Sequence, residues 1–309
     1  MGRGVTLKAP FPYFGGKSRA ANIVWDRFGD VPNYVEPFFG SGAVLLNRPT
    51  SPGTETINDL DCHVANFWRS LQHDPDALAL HADRPVNEAD QHAIHSWLCS
   101  REEFRERMNT ELEYYDAQIA GRWLWGISIW IGSGWCAAKR PSRQLPHLGT
   151  SGRGVNRQLP HLGCAGRGVE DEQPIYAYMN QLAARLRRVR VCCGDWSRVV
   201  TPTVTWKHGI TGVFIDPPYS EGDVQYAAGG TGTDLSAEAM KWAITNGDNR
   251  DLRIALCGYE GHYQMPYSWE CVAWKAAGGY ATDGANSARE RIWFSPHCLS
   301  KQGMLWAAE

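Results

Sequence analysis

Gly212-Val213-Phe214-Ile215 is an unbroken apolar run that stops at Asp216-Pro217-Pro218-Tyr219. A strand with one wet face alternates apolar and polar residues, whereas a continuous run is buried on both faces, as inside a parallel sheet. Two consecutive prolines remove two backbone donors and fix φ, so the strand must end there and leave carbonyl oxygens as acceptors. An acid, a free carbonyl and an aromatic face side by side can accept from an exocyclic amine and stack on its ring. The same pattern recurs along the chain. Tyr34-Val35 runs into Glu36-Pro37-Phe38-Phe39-Gly40-Ser41-Gly42, and Glu55-Thr56-Ile57-Asn58 ends at Asp59. Val189 to Cys193 ends at Gly194-Asp195-Trp196, Arg253 to Cys257 reads as a further strand, and Glu290 to Phe294 as a closing one. Cys192 and Cys193 are expected to be buried. Short strands that each end in polar or Gly-rich loops predict an α/β fold with a mostly parallel sheet and ligands at the strand C-termini.

Phe38, Gly40 and Gly42 sit between a strand and the apolar Ala43-Val44-Leu45-Leu46, read as the start of a helix. Glycines there let the backbone approach a ligand closely, and a helix N-terminus favours polar or anionic groups. By itself this is any tight strand–helix turn. Asp59 strengthens it, because an acid about 20 residues past a Gly-rich turn is where doubly wound folds bind ribose hydroxyls.

Charge is distributed unevenly. The chain of 309 residues has a net charge of −2, yet no Asp or Glu occurs between Asp116 and Glu170. That interval holds Arg122, Lys139, Arg140, Arg143, Arg153, Arg157 and Arg167, the footprint expected of a polyanion-binding segment. Within it lies a tandem repeat: Arg143 to Asn156 and Arg157 to Glu170 agree at 11 of 14 positions. Two copies of so short a period are too few for a solenoid and read as a duplicated Gly- and Pro-rich loop. Residues 62–120 have helical spacing, and 175–190 form a basic helix.

Composition excludes several classes. Hydrophobic residues at 43% and charged residues at 21% are incompatible with global disorder. The longest uncharged run, Trp123 to Ala138, is broken by Gly126, Gly132 and Gly134 and falls short of the roughly 20 residues a spanning helix needs. MGRGVTLKAP at the start lacks the apolar core of a signal peptide. Nine cysteines without a C-x-x-C pair suit a reducing compartment, so no membrane and a cytoplasmic location are expected.

These motifs, joined by Tyr13-Phe14-Gly15-Gly16-Lys17 and Ile57-Asn58-Asp59, resemble the Dam-like, D12 class DNA adenine-N6 methyltransferases. The resemblance runs in family order over most of the chain. It implies a Rossmann-like S-adenosyl-L-methionine-dependent methyltransferase sheet with an inserted helical and loop target-recognition region. The sheet would come from residues 1–64 and 185–309, the insert from 65–184, with the repeats at 143–156 and 157–170. Tyr13, Lys17, Phe38, Gly40, Gly42 and Asp59 would line the S-adenosyl-L-methionine site, with Asp195 and Trp196 near the donor's adenine. Asp216, Pro217, Pro218 and Tyr219 would hold a target adenine rotated out of double-stranded DNA. Lys139, Arg140, Arg143, Arg153, Arg157 and Arg167 would contact that DNA. Where members that read GATC carry a Lys, this chain has Pro12, so that specificity does not carry over.

Rival readings are weaker. Gly16-Lys17-Ser18 mimics a phosphate-binding loop, but the glycine that loop requires earlier is Phe11. His92, His95 and Cys99 share a helical face without a fourth ligand, and no metal is expected. A cytosine-C5 mechanism needs a Pro-Cys nucleophile that the chain lacks. A cytosine-N4 or RNA methyltransferase would share these motifs, and a non-catalytic DNA-binding protein would need only the basic insert.

Overall fold

The structure, a computed structural model, describes residues 7–13, 17–50, 53–130, 135–136, 175–219, 232–275 and 289–300. Among the described residues, seven strands form one sheet: β1 (Asn33–Glu36), β2 (Thr54–Asp59), β3 (Arg190–Cys193), β4 (Thr211–Ile215), β5 (Leu252–Tyr259), β6 (Glu270–Ala273) and β7 (Glu290–Phe294). Their order is β3-β2-β1-β4-β5-β7-β6. The pairs among β3, β2, β1, β4 and β5 are parallel, and β7 runs antiparallel between β5 and β6. This is a mostly parallel, Rossmann-like α/β sheet, as the sequence leads one to expect.

The apolar runs decide the layering. On β4, Phe214 packs into one core while Val213 and Ile215 enter the other. Ala255 and Cys257 of β5 join Phe214, and Leu252, Ile254 and Leu256 join the opposite core. Both faces are therefore covered, as the unbroken hydrophobicity requires. One cover contains α1 (Ala21–Phe28) and α2 (Ala43–Leu46), and the other includes α9 (Gly232–Asn246). Among the described residues, six helices lie between β2 and β3: α3 (Cys62–His73), α4 (Pro75–Ala82), α5 (Glu88–Cys99), α6 (Glu102–Thr110), α7 (Ala117–Ile129) and α8 (Ile175–Leu186). Their apolar faces continue the first core, so these helices extend one face of the sheet. Arg185 of α8 grips the buried Glu55 of β2 with two hydrogen bonds, 2.7 and 2.8 Å, and Arg48 adds a third at 3.1 Å.

Two expectations change. The helix after the Gly-rich loop is a single four-residue turn, too short to build up a large dipole at its N-terminus. Cys192 and Cys193 are half-buried, because β3 is an edge strand.

Candidate active site

The strand order reverses at β1, whose neighbours are β2 and β4. A crevice opens at such a switch point beyond the strand C-termini, where open α/β sheets bind ligands. The Phe38–Gly42 loop follows β1 and Asp216-Pro217-Pro218-Tyr219 follows β4, so the two most informative motifs meet there.

On the β1–β2–β3 side the loop is shaped by backbone hydrogen bonds. Gly40 and Gly42 have φ of +50° and +71°, a region that favours glycine. A Cβ on Gly40 would stand 2.5 Å from the Tyr13 ring, and one on Gly42 2.6 Å from the Phe39 ring. Asp59 Oδ2 accepts from Gly40 N at 2.9 Å and Oδ1 from Asp61 N at 2.9 Å. Burial, reinforced by Asp61, pushes the Asp59 carboxyl up to about 7. Asn58 Nδ2 donates to the carbonyls of Pro37 and Gly194, both at 3.0 Å, lacing the β1 and β3 ends together. Asp195 accepts from Ser197 N at 2.9 Å and caps a short 3-10 turn. Trp196 is buried against Phe38, with ring centroids 5.7 Å apart, leaving Phe38 the more open of the two.

The β4–β5–β7 side is ionic. Lys17 Nζ lies 3.0 Å from Asp216 Oδ2, and its ammonium stands over the rings of Tyr219 and Trp274 at 5.4 and 5.3 Å. Burial pulls the Lys17 ammonium down, but Asp216 and Glu290 outweigh it and hold it above the ordinary lysine range. Tyr219 Oη donates to Asp216 Oδ1 at 2.9 Å and lies 3.4 Å from Glu290 Oε2. One hydroxyl proton cannot serve two carboxylates fully. Burial raises Glu290 to about 7 against the pull of Lys17, so near neutrality its neutral form can donate to Tyr219. Asp216, with 17% of its side chain exposed, is the carboxylate a ligand can reach, whereas Glu290 and Glu36 are 3% and 2% exposed. Tyr259 completes an aromatic wall, edge-on to Tyr219 at 4.7 Å.

The structure therefore brings Lys17 onto Asp216 and Tyr219, and gathers Tyr13, Phe38, Gly40, Gly42, Asp59, Asp195 and Trp196 around the C-terminal ends of the neighbouring strands β1, β2 and β3. Lys139, Arg140, Arg143, Arg153, Arg157 and Arg167 lie outside the described residues. Among the described residues, no group of three or more His, Cys, Asp or Glu could hold a metal ion. Sequence reasoning missed Glu290. It lies within a strand-like run, and only the sheet carries it across 71 positions to Tyr219.

Residues 13–120 match the model of the D12 class N6 adenine-specific DNA methyltransferase family. That span contains the Gly-rich loop and Asp59 and ends before Asp216. No curated protein matches the chain.

Proposed function

We propose that the chain is a DNA adenine methyltransferase of the D12 class, whose family model matches residues 13–120, and that it transfers a methyl group from S-adenosyl-L-methionine to N6 of an adenine rotated out of duplex DNA. What supports this reading is the meeting of two different half-sites at the β1/β4 switch point. The donor half fits such a group. Gly40 and Gly42 leave a cradle that side chains would fill, Phe38 offers a partly open ring, and each Asp59 oxygen retains a lone pair beside its backbone bond. Bound there, the donor supplies an electrophilic sulfonium methyl. Asp195 and Trp196 hold the Phe38 wall, while Tyr13 closes over Gly40.

The chain's own residues do the rest by orientation. Asp216 and the Pro217 carbonyl accept the two N6 hydrogens and turn the nitrogen toward the methyl group, and Tyr219 offers its face to the base. N6 cannot meet the donor inside the base stack, so the base leaves it. Lys17 and Tyr219 hold both Asp216 oxygens beforehand, and Glu290 holds Tyr219. The methylated nitrogen must lose a proton, and Asp216 is the reachable acceptor. Residues 65–184 serve target recognition, with Lys139, Arg140, Arg143, Arg153, Arg157 and Arg167 on phosphates.

The test is tritium transfer from labelled S-adenosyl-L-methionine to duplex DNA, followed by nucleoside analysis. Label in N6-methyl-2′-deoxyadenosine is expected. Label in N4-methylcytosine, in RNA alone or nowhere would overturn the reading.

A further inference from the structure

The helical layer carries a basic surface that the methyl-transfer site does not use. Trp97 of α5 is held between two guanidiniums, Arg101 Cζ at 4.1 Å and Arg122 Cζ at 4.4 Å from its ring centroid. Arg122 comes from α7, and Arg101 immediately precedes α6, so three elements converge on one indole. Arg84, between α4 and α5, is a third cation. Trp125 Nε1 donates to its carbonyl at 3.1 Å and pins that connection to α7, three residues along from Arg122.

The charges act on one another. Burial, then Arg84 and Arg101, hold the Arg122 guanidinium below its ordinary range, and Asp116 opposes them only in part. His81 is lowered by burial and by Arg122. Among the described residues, Asp90 is the one carboxylate ion-paired to the cluster, 3.6 Å from Arg84, and none pairs with Arg101 or Arg122. Nε of Arg84 and Nε of Arg122 are both buried without an acceptor. Arg122 also opens the acid-free interval, so no acid follows it before Glu170. A guanidinium stacked on a ring keeps its N–H edge in plane, the geometry that meets a phosphate in two bonds. Cations gathered with so little neutralisation favour an anion with several charges.

We propose that Trp97, Arg84, Arg101 and Arg122 form a platform that binds the phosphate backbone of the DNA duplex, apart from the methyl-transfer pocket. The inference rests on DNA being the substrate. Its contacts are to charge, so it positions the duplex without reading sequence.

The full chain carrying both R101Q and R122Q tests this by fluorescence anisotropy on methylatable and scrambled duplexes over a salt series. Each lost phosphate contact makes the log–log salt slope shallower by about 0.9, up to about 1.8 for the pair. Over a fourfold rise in salt the parent then loses about 12-fold more affinity than the variant. Both duplexes should be affected alike, with donor affinity and kcat at saturating DNA within twofold of the parent. The pair R101K and R122K, keeping the charge, should recover most of the slope. Should the Gln pair fail to fold, R101Q alone, at an exposed position, carries the test with a change of about 0.9. An unchanged slope with methyl transfer intact overturns the platform and leaves the methyltransferase reading standing. So does a change seen on one duplex sequence alone, or on RNA but not DNA. A parent chain that methylates no DNA overturns the underlying reading instead.

Discussion

The two halves of the crevice are built on different principles. On the β1–β2–β3 side, Gly40, Asn58 and Asp59 fix the loop through bonds to backbone groups. On the β4–β5–β7 side, Lys17, Asp216, Tyr219 and Glu290 hold one another through ionisable side chains. A shape made by backbone hydrogen bonds suits a ligand that is the same in every turnover. A site held by movable charges can exchange one partner for another, as the proposed entry of a base from DNA would require.

The contrast breaks hardest at Asp216. Asp216→Ala removes both the proposed acceptor for the target amine and the partner of Lys17. We expect kcat to fall on the order of 10²- to 10³-fold, the usual loss when one group aimed at the reacting centre is removed. Donor affinity, measured by calorimetry, should stay within a few-fold, because the donor half does not depend on this carboxylate. A kcat within tenfold of the parent would remove Asp216 from the role, and equal losses of donor binding would dissolve the division into two halves.

Asp59 should behave the opposite way. Asp59→Ala leaves Gly40 N without its acceptor and removes the brace of the positive-φ turn. A buried donor left unpaired costs about 1–3 kcal/mol, so donor affinity should weaken about 10- to 100-fold with a smaller change in kcat at saturating donor. Gly40→Ala should give the same signature, since its Cβ would displace the Tyr13 ring. Unchanged donor Kd in both variants would show that the loop is not the donor's cradle.

The residues differ in how far they could be read from sequence. β4 and β5 were legible because unbroken apolar runs leave a parallel strand as the simplest reading, and both bury two faces. β6 was not, because its sequence ECVA belongs to an edge strand with mostly exposed side chains and carries no pattern to find. Asp59 was legible as an acid at a strand end, but spacing does not reveal that two backbone amides already engage its oxygens. Glu290 was invisible for another reason. A Glu beginning a strand reads as an edge charge until antiparallel pairing of β7 with β5 sets it opposite Tyr259 and beside Tyr219.

Glu290 also gives the smallest effect, one that sharpens the contrast by pH. Burial raises its carboxyl from 4.5 to about 7. Between those values the folded chain holds a proton that the unfolded chain has released, so stability falls as pH rises. Its contribution is fully present below about 4.5 and lost by the time pH passes through about 7. Asp59, raised to about 7 on the other side, acts in the same direction from a lower starting value of 3.8. Glu290→Gln keeps a group that can donate to Tyr219 but cannot ionise, so the variant should lose less stability than the parent between pH 4.5 and 7. The difference in thermal midpoint, parent against variant, should grow steadily across that window and level off above it. The Lys17–Asp216 contact is untouched by the substitution, so methyl transfer at pH 6 should change less than tenfold. A midpoint difference that is flat with pH would mean that Glu290 is ionised throughout, and Tyr219 would then have to divide its single proton between two anions.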